Sequence, residues 1–156
     1  MMRPNLLPAV LIGAVASARS MTPMAALAGA HLAHRQTPGR LLLLDKPLFT
    51  AGALAMGVGE LLGDKMKSAP DRTVLPGLLA RAASAAIAGA ALSPRGRERT
   101  GSALAVGTAV PLAYLTLAGR KRAMRKIGQT RSGLLEDAVI VSAGLAVVAW
   151  ALKRPR

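Results

Sequence analysis

The chain reads as a series of apolar runs separated by short polar breaks that are mostly basic. Residues 5–18 are apolar, Arg19 and Ser20 interrupt them, and 21–33 are apolar again. This first segment is either one helix of about 28 residues, which needs marked tilt to fit a bilayer, or two half-helices meeting at Arg19-Ser20-Met21-Thr22-Pro23. Pro23 favours the break, because it removes a backbone donor and crowds the preceding turn. Thr22 is suited to cap the restarted helix, with Pro23 at its first position. A cleavable leader competes for the first 18 residues: Arg3 is its positive start, Leu6–Ile12 its apolar centre, and Ala16-Ser17-Ala18 its cleavage-like end. The apolar run that follows almost at once argues against it.

Four further runs follow: Pro47–Gly63, Val74–Leu92, Gly101–Gly119 and Leu134–Leu152. Leu41–Leu44 is too short to cross a membrane and reads as a re-entrant or interfacial piece. Thr37-Pro38-Gly39-Arg40 is a turn, 68–73 a charged connection, Pro76-Gly77 a helix entrance, and Ser93–Thr100 a short basic turn. Residues 120–133 form a basic connecting loop carrying Arg120, Lys121, Arg122, Arg125, Lys126 and Arg131, whose spacing also suits an amphipathic helix on anionic lipid, with little apolar face to anchor it. Small residues recur at helical spacing: Ala82, Ala86 and Ala90; Ala85 and Gly89; Ala105, Ala109 and Ala113; and Gly59 with Gly63. Such rows let helices approach closely.

Composition assigns these runs to a membrane. Of 156 residues, enough for one domain over 1–156, 52% are hydrophobic and only 18% charged. Aromatic residues make up 2%, so a large soluble aromatic core is excluded, while Ala and Gly suit close helix packing. The expectation is an all-α, small polytopic membrane protein of the bacterial inner membrane, with four to six hydrophobic segments. With no cysteine, a disulfide framework and thiolate metal sites are ruled out.

A net charge of +14 on one soluble face would suggest nucleic acid. Here the basic residues lie in the breaks, where they meet anionic lipid headgroups, and no nucleic-acid partner is expected. Counting the first segment as one span, Arg3, the 65–72 link and the 120–131 link place ten Lys/Arg on one side, and the remaining links and tail place nine on the other. So even a split does not orient the chain. With the small-residue faces, it predicts a homo-oligomer, most simply a dimer, with subunits of opposite orientation as an option. A separate membrane-protein partner is the other assembly expected.

The candidate chemistry lies in charges inside or beside the apolar runs. In a helix, Gly52, Met56, Glu60 and Asp64 share one face, with Lys67 close behind. Arg19 and Arg81 are the opposing cations, and Glu60 or Asp64 is expected near one of them, because isolated burial is expensive. Arg81 either snorkels to the surface or joins a buried ion pair. Glu136-Asp137 lie close to the start of the last run, where they either complement the helix dipole or belong to a functional site. His31 and His34 share a helical face, but two imidazoles do not make a metal site. The chain holds no HExxH, no GxSxG and no histidine near Ser17 or Ser20 to serve as a base, so neither catalytic residues nor a cofactor is predicted.

Several of these stretches together resemble a bacterial membrane-protein family, domain of unknown function 4126. The resemblance lies in Arg19-Ser-Met-Thr-Pro23, Glu60-x-x-x-Asp64-Lys65, Pro70-Asp71-Arg72-Thr73, Pro76-Gly77-Leu-Leu-Ala-Arg81, Gly89-Ala-Ala-Leu92 and Glu136-Asp137. It covers nearly the whole chain, apart from Leu41–Leu44. It implies an integral helical membrane fold and no particular activity. The leading functional expectation is a small transporter or channel-like protein for an ion or polar solute, using Arg19, Glu60, Asp64, Arg81, Glu136 and Asp137. The alternative is a structural or assembly protein in which the same charges are fixed ion pairs.

Overall fold

The computed structural model describes residues 5–39, 41–63 and 74–153, and among them every regular element is helical. The helices are α1 (Leu7–Ala18), α2 (Thr22–Leu32), α3 (Pro47–Gly63), α4 (Leu75–Ala91), α5 (Glu98–Ile127) and α6 (Gln129–Lys153), with a 3₁₀ turn over Leu42–Asp45 before α3. Asp64, Lys65, Lys67 and the 68–73 connection lie outside the described residues. Prolines mark the helix starts: Pro8, Pro23, Pro47 and Pro76 each stand at the first or second position. There the missing N–H has no intrahelical partner to lose, and the fixed φ already suits a helix.

The core is built from backbones in near contact. Along α5, Gly101, Ala105, Ala109 and Ala113 form one fully covered row. A Cβ added at Gly13 of α1 would come 2.3 Å from the Ala105 carbonyl oxygen. One added at Gly89 of α4 would come 2.5 Å from the Ala105 side chain and from the Gly101 carbonyl. Three helices thus converge on Ala105, and only glycine and alanine leave room for them. Ile12, Leu27, Ala85 and Ala88 fill the same core. A smaller cluster of Met24, Ala28 and Ala53 joins α2 to α3. On α4 the Ala85–Gly89 row is buried, whereas Ala82, Ala86 and Ala90 are only half-covered.

Outward surfaces are strongly apolar. Leu48 is 85% exposed, Leu62 63% and Val139 64%. Two helices, α5 and α6, are long and apolar enough to cross a membrane, and only 22% and 17% of their most apolar stretches are buried. The helices α1, α3 and α4 are shorter and also apolar.

Four expectations are corrected. The basic loop expected over 120–133 is helix on both sides of a single residue: α5 runs to Ile127, Gly128 turns the chain at φ +85°, and α6 begins at Gln129. Lys and Arg are good helix formers, so loss of hydropathy was not loss of helix. Glu136 and Asp137 therefore stand two turns inside α6, beyond the reach of its N-terminal dipole. Gly59 has nothing within 4 Å of a Cβ position, and the glycine that packs on α2 is Gly57, against Ala25. Thr22 is the first residue of α2, not its cap; the cap position is Met21, and Pro23 is second.

Candidate functional site

The chain breaks between α1 and α2 because Arg19 is extended, at φ −137° and ψ 111°. A break exposes the last carbonyls of one helix and the first N–H groups of the next, and burial makes each a debt of hydrogen bonding. All of Ser17, Arg19, Ser20 and Thr22 are buried. Side chains from the four later helices supply the partners.

On the N–H side the partner is Glu60 of α3. Its Oε1 accepts from the Ser20 amide at 2.7 Å and the Ser20 hydroxyl at 2.6 Å, and its Oε2 accepts from the Met21 amide at 2.8 Å. A carboxylate held by two successive amides at a helix start also gains from the helix dipole. Glu60 thus performs the capping that Thr22 was expected to perform. On the carbonyl side, Arg81 of α4 donates from Nε to Ser17 O at 3.1 Å, and from Nη1 to Gly77 O at 2.9 Å. Thr116 of α5 lies 3.3 Å from the same Ser17 carbonyl. Arg81 is buried and does not snorkel.

Arg19 occupies the middle. Its side chain is 1% exposed, its Nη2 is ion-paired with Asp137 Oδ1 of α6, and its Nη1 donates to the Glu60 backbone carbonyl at 3.2 Å. One residue before Asp137, Glu136 pairs with Arg120 of α5 at 3.0 Å. The break therefore gathers Arg19, Glu60, Arg81 and Asp137, with Glu136 adjacent on α6. Asp64 lies outside the described residues. Sequence reasoning missed Thr116, Arg120 and the backbone groups of Ser17, Ser20 and Met21. Any peptide group can serve in such a role, so no residue type marks them.

Chemically, the arrangement offers a buried cation paired with the Asp137 carboxylate, and a helix start already filled by the Glu60 carboxylate. Ser20 Oγ is a donor to Glu60, with no histidine in the arrangement. Among the described residues, no three His, Cys, Asp or Glu side chains are grouped so as to hold a metal ion.

The fold and this site define an all-helical protein built around a buried, ion-paired helix break, with two helices of membrane-crossing length. No protein-family model, curated protein or solved structure matches the chain.

Proposed function

We propose that this is a multi-pass protein of the bacterial inner membrane in which the charged break serves as an exchange site for an ion or small polar solute. The observation that carries the reading is the Glu60 carboxylate seated on the Ser20 and Met21 amides, beside Arg19 and Asp137. Non-helical backbone at membrane depth is tolerated only where protein or a water-filled cavity surrounds it, and broken helices at such depth commonly bind ions. Ionisable side chains placed there are expensive and mark routes for ions or protons. The exposed apolar faces of α5 and α6 support the membrane setting, because core helices of a soluble protein would be mostly covered. At 17 residues each, α3 and α4 reach about 26 Å, which suits a span with modest thinning of the bilayer.

In this scheme Glu60 exchanges a proton or yields its place on α2 to an anion, while Arg19 and Asp137 hold the break open to charge. The test is flux of ions, protons and small polar solutes into proteoliposomes. The expected result is flux with the natural chain and loss with Glu60→Gln at unchanged helical content. No flux across a broad solute screen would remove the reading.

A structural role in a membrane assembly, as a homo-oligomer or with another membrane protein, is favoured by a different observation. Glu60 and Asp137 are already tied to the break between α1 and α2, and Glu136 to Arg120 of α5. Gentle extraction into native lipid would then yield a stoichiometric complex.

A further inference from the structure

At the far end of α2 lies a cleft of about 450 Å³, between that helix's last turn and the 3₁₀ turn. Its walls differ in character. His31, His34, Arg35 and Gln36 line one side, and Asp45 stands among leucines on the other. The volume is in the range of small-molecule sites.

The cleft is a built feature. Leu44, in the 3₁₀ turn, is buried, and its carbonyl accepts the Thr50 hydroxyl at 3.3 Å. The Gly39 amide donates to Ala91 O at 3.0 Å, which ties the connecting turn to the end of α4. A Cβ at Gly39 would come 2.3 Å from the Ala90 carbonyl oxygen, so this join is made backbone to backbone. The ending of α2 adds a second observation. Arg35 N bonds to Ala30 O and His34 N to His31 O, each at 2.9 Å, which leaves His34 at φ 55°. That left-handed position is ordinarily filled by glycine, which takes it without steric cost. Here the position keeps an imidazole instead, and it lines the cleft. A costly backbone conformation retained at a concave surface is a pointer to binding.

The charges decide what kind of ligand fits. Among the described residues that line the cleft, Arg35 and Asp45 bring charges of opposite sign rather than a field of one sign. The imidazoles and Gln36 add hydrogen-bonding groups, and His31 Nδ1 lies 3.9 Å from Asp45 Oδ1. On the rim, Leu32 is 59% exposed and Leu42 78%. The geometry points to a site for a phospholipid with a phosphoethanolamine headgroup. Arg35, His34 and Gln36 take the phosphate, the Asp45 carboxylate takes the primary ammonium, and Leu32 and Leu42 meet the glycerol and upper acyl chain. A purely anionic headgroup would leave Asp45 repelled. A quaternary ammonium could not donate the hydrogen bonds that Asp45 accepts.

This site rests on the membrane reading above, and the experiment separates the two. The full chain is reconstituted in nanodiscs containing equal phosphatidylethanolamine, phosphatidylcholine and phosphatidylglycerol with identical acyl chains. It is then released, and the retained lipid is measured by native mass spectrometry. The expected result is selective retention of phosphatidylethanolamine. Asp45→Asn should lower that retention about ten-fold, the scale of one lost hydrogen bond to a charged group, while leaving phosphatidylcholine unchanged. Arg35→Gln should lower retention of all three lipids, and both variants should keep the natural helical content. Equal retention, preference for phosphatidylglycerol, or an unaltered Asp45→Asn profile overturns the site alone. Displacement by soluble phosphoethanolamine at matching concentration overturns the lipid as its source. A chain that stays out of the bilayer overturns both the site and the membrane reading.

Discussion

Arg19 sits where an unpaired ion would cost several kcal/mol, and the Asp137 carboxylate is what makes its burial tolerable. Asp137→Asn keeps the shape and removes the charge, so it should destabilise the fold by about 3–5 kcal/mol, as expected when one partner of a buried pair is lost. Unfolding of the purified chain in mixed micelles would measure it. Glu136→Gln should cost less, because Arg120 and Glu136 keep 10% and 17% exposure and so retain some water. The exchange of Arg19→Asp with Asp137→Arg should recover part of the loss if the two are coupled, and none if each acts alone. That Arg19 and Glu60 mattered was legible, because charges are rare in such apolar runs. The way they meet was not. Arg19 takes the backbone of Glu60, while its carboxylate goes to peptide amides, and a pairing of opposite charges is not the only way to satisfy a buried acid.

At the scale of elements, helix packing depends on a few places where no side chain fits. Gly13→Ala would drive a methyl into the Ala105 carbonyl and separate α1 from α5. Gly29→Ala, with nothing within 4 Å, should be neutral or stabilising by up to about 1 kcal/mol through helix propensity. The thermal unfolding midpoint should therefore fall for Gly13→Ala and hold or rise for Gly29→Ala, and equal shifts would contradict the close α1–α5 contact. The Ala105, Ala109, Ala113 row and the break before Pro23 were both readable, because small-residue spacing and proline have local causes. The continuation of α5 through Lys121 and Lys126 was not, because hydropathy reports surroundings and says little about backbone geometry. Which of several glycines would be used was equally hidden: Gly57 and Gly59 differ only in the face they present.

For the whole molecule, the all-helical class was legible from the pattern of apolar runs, while the order in which helices pack was not. The first helix finds its main partners in α4 and α5, and α2 leans on α3 and α6. Such pairings are set by long-range fit, which a linear pattern does not carry. They also place a delay into the making of this protein. Arg19 and Asp137 are 118 residues apart. At a synthesis rate of about 5–20 residues per second, the arginine waits roughly 6 to 24 seconds for its counterion to be made. During that interval the nascent chain holds a charge with no permanent place, and the first half must wait in a provisional arrangement. A chain halted at Gly128 should consequently be cleared faster in cells than the full chain, and co-expression of residues 129–156 should slow its loss. Pulse-chase decay of the two would read the difference, and equal lifetimes would mean that the first five helices reach a settled state without the last.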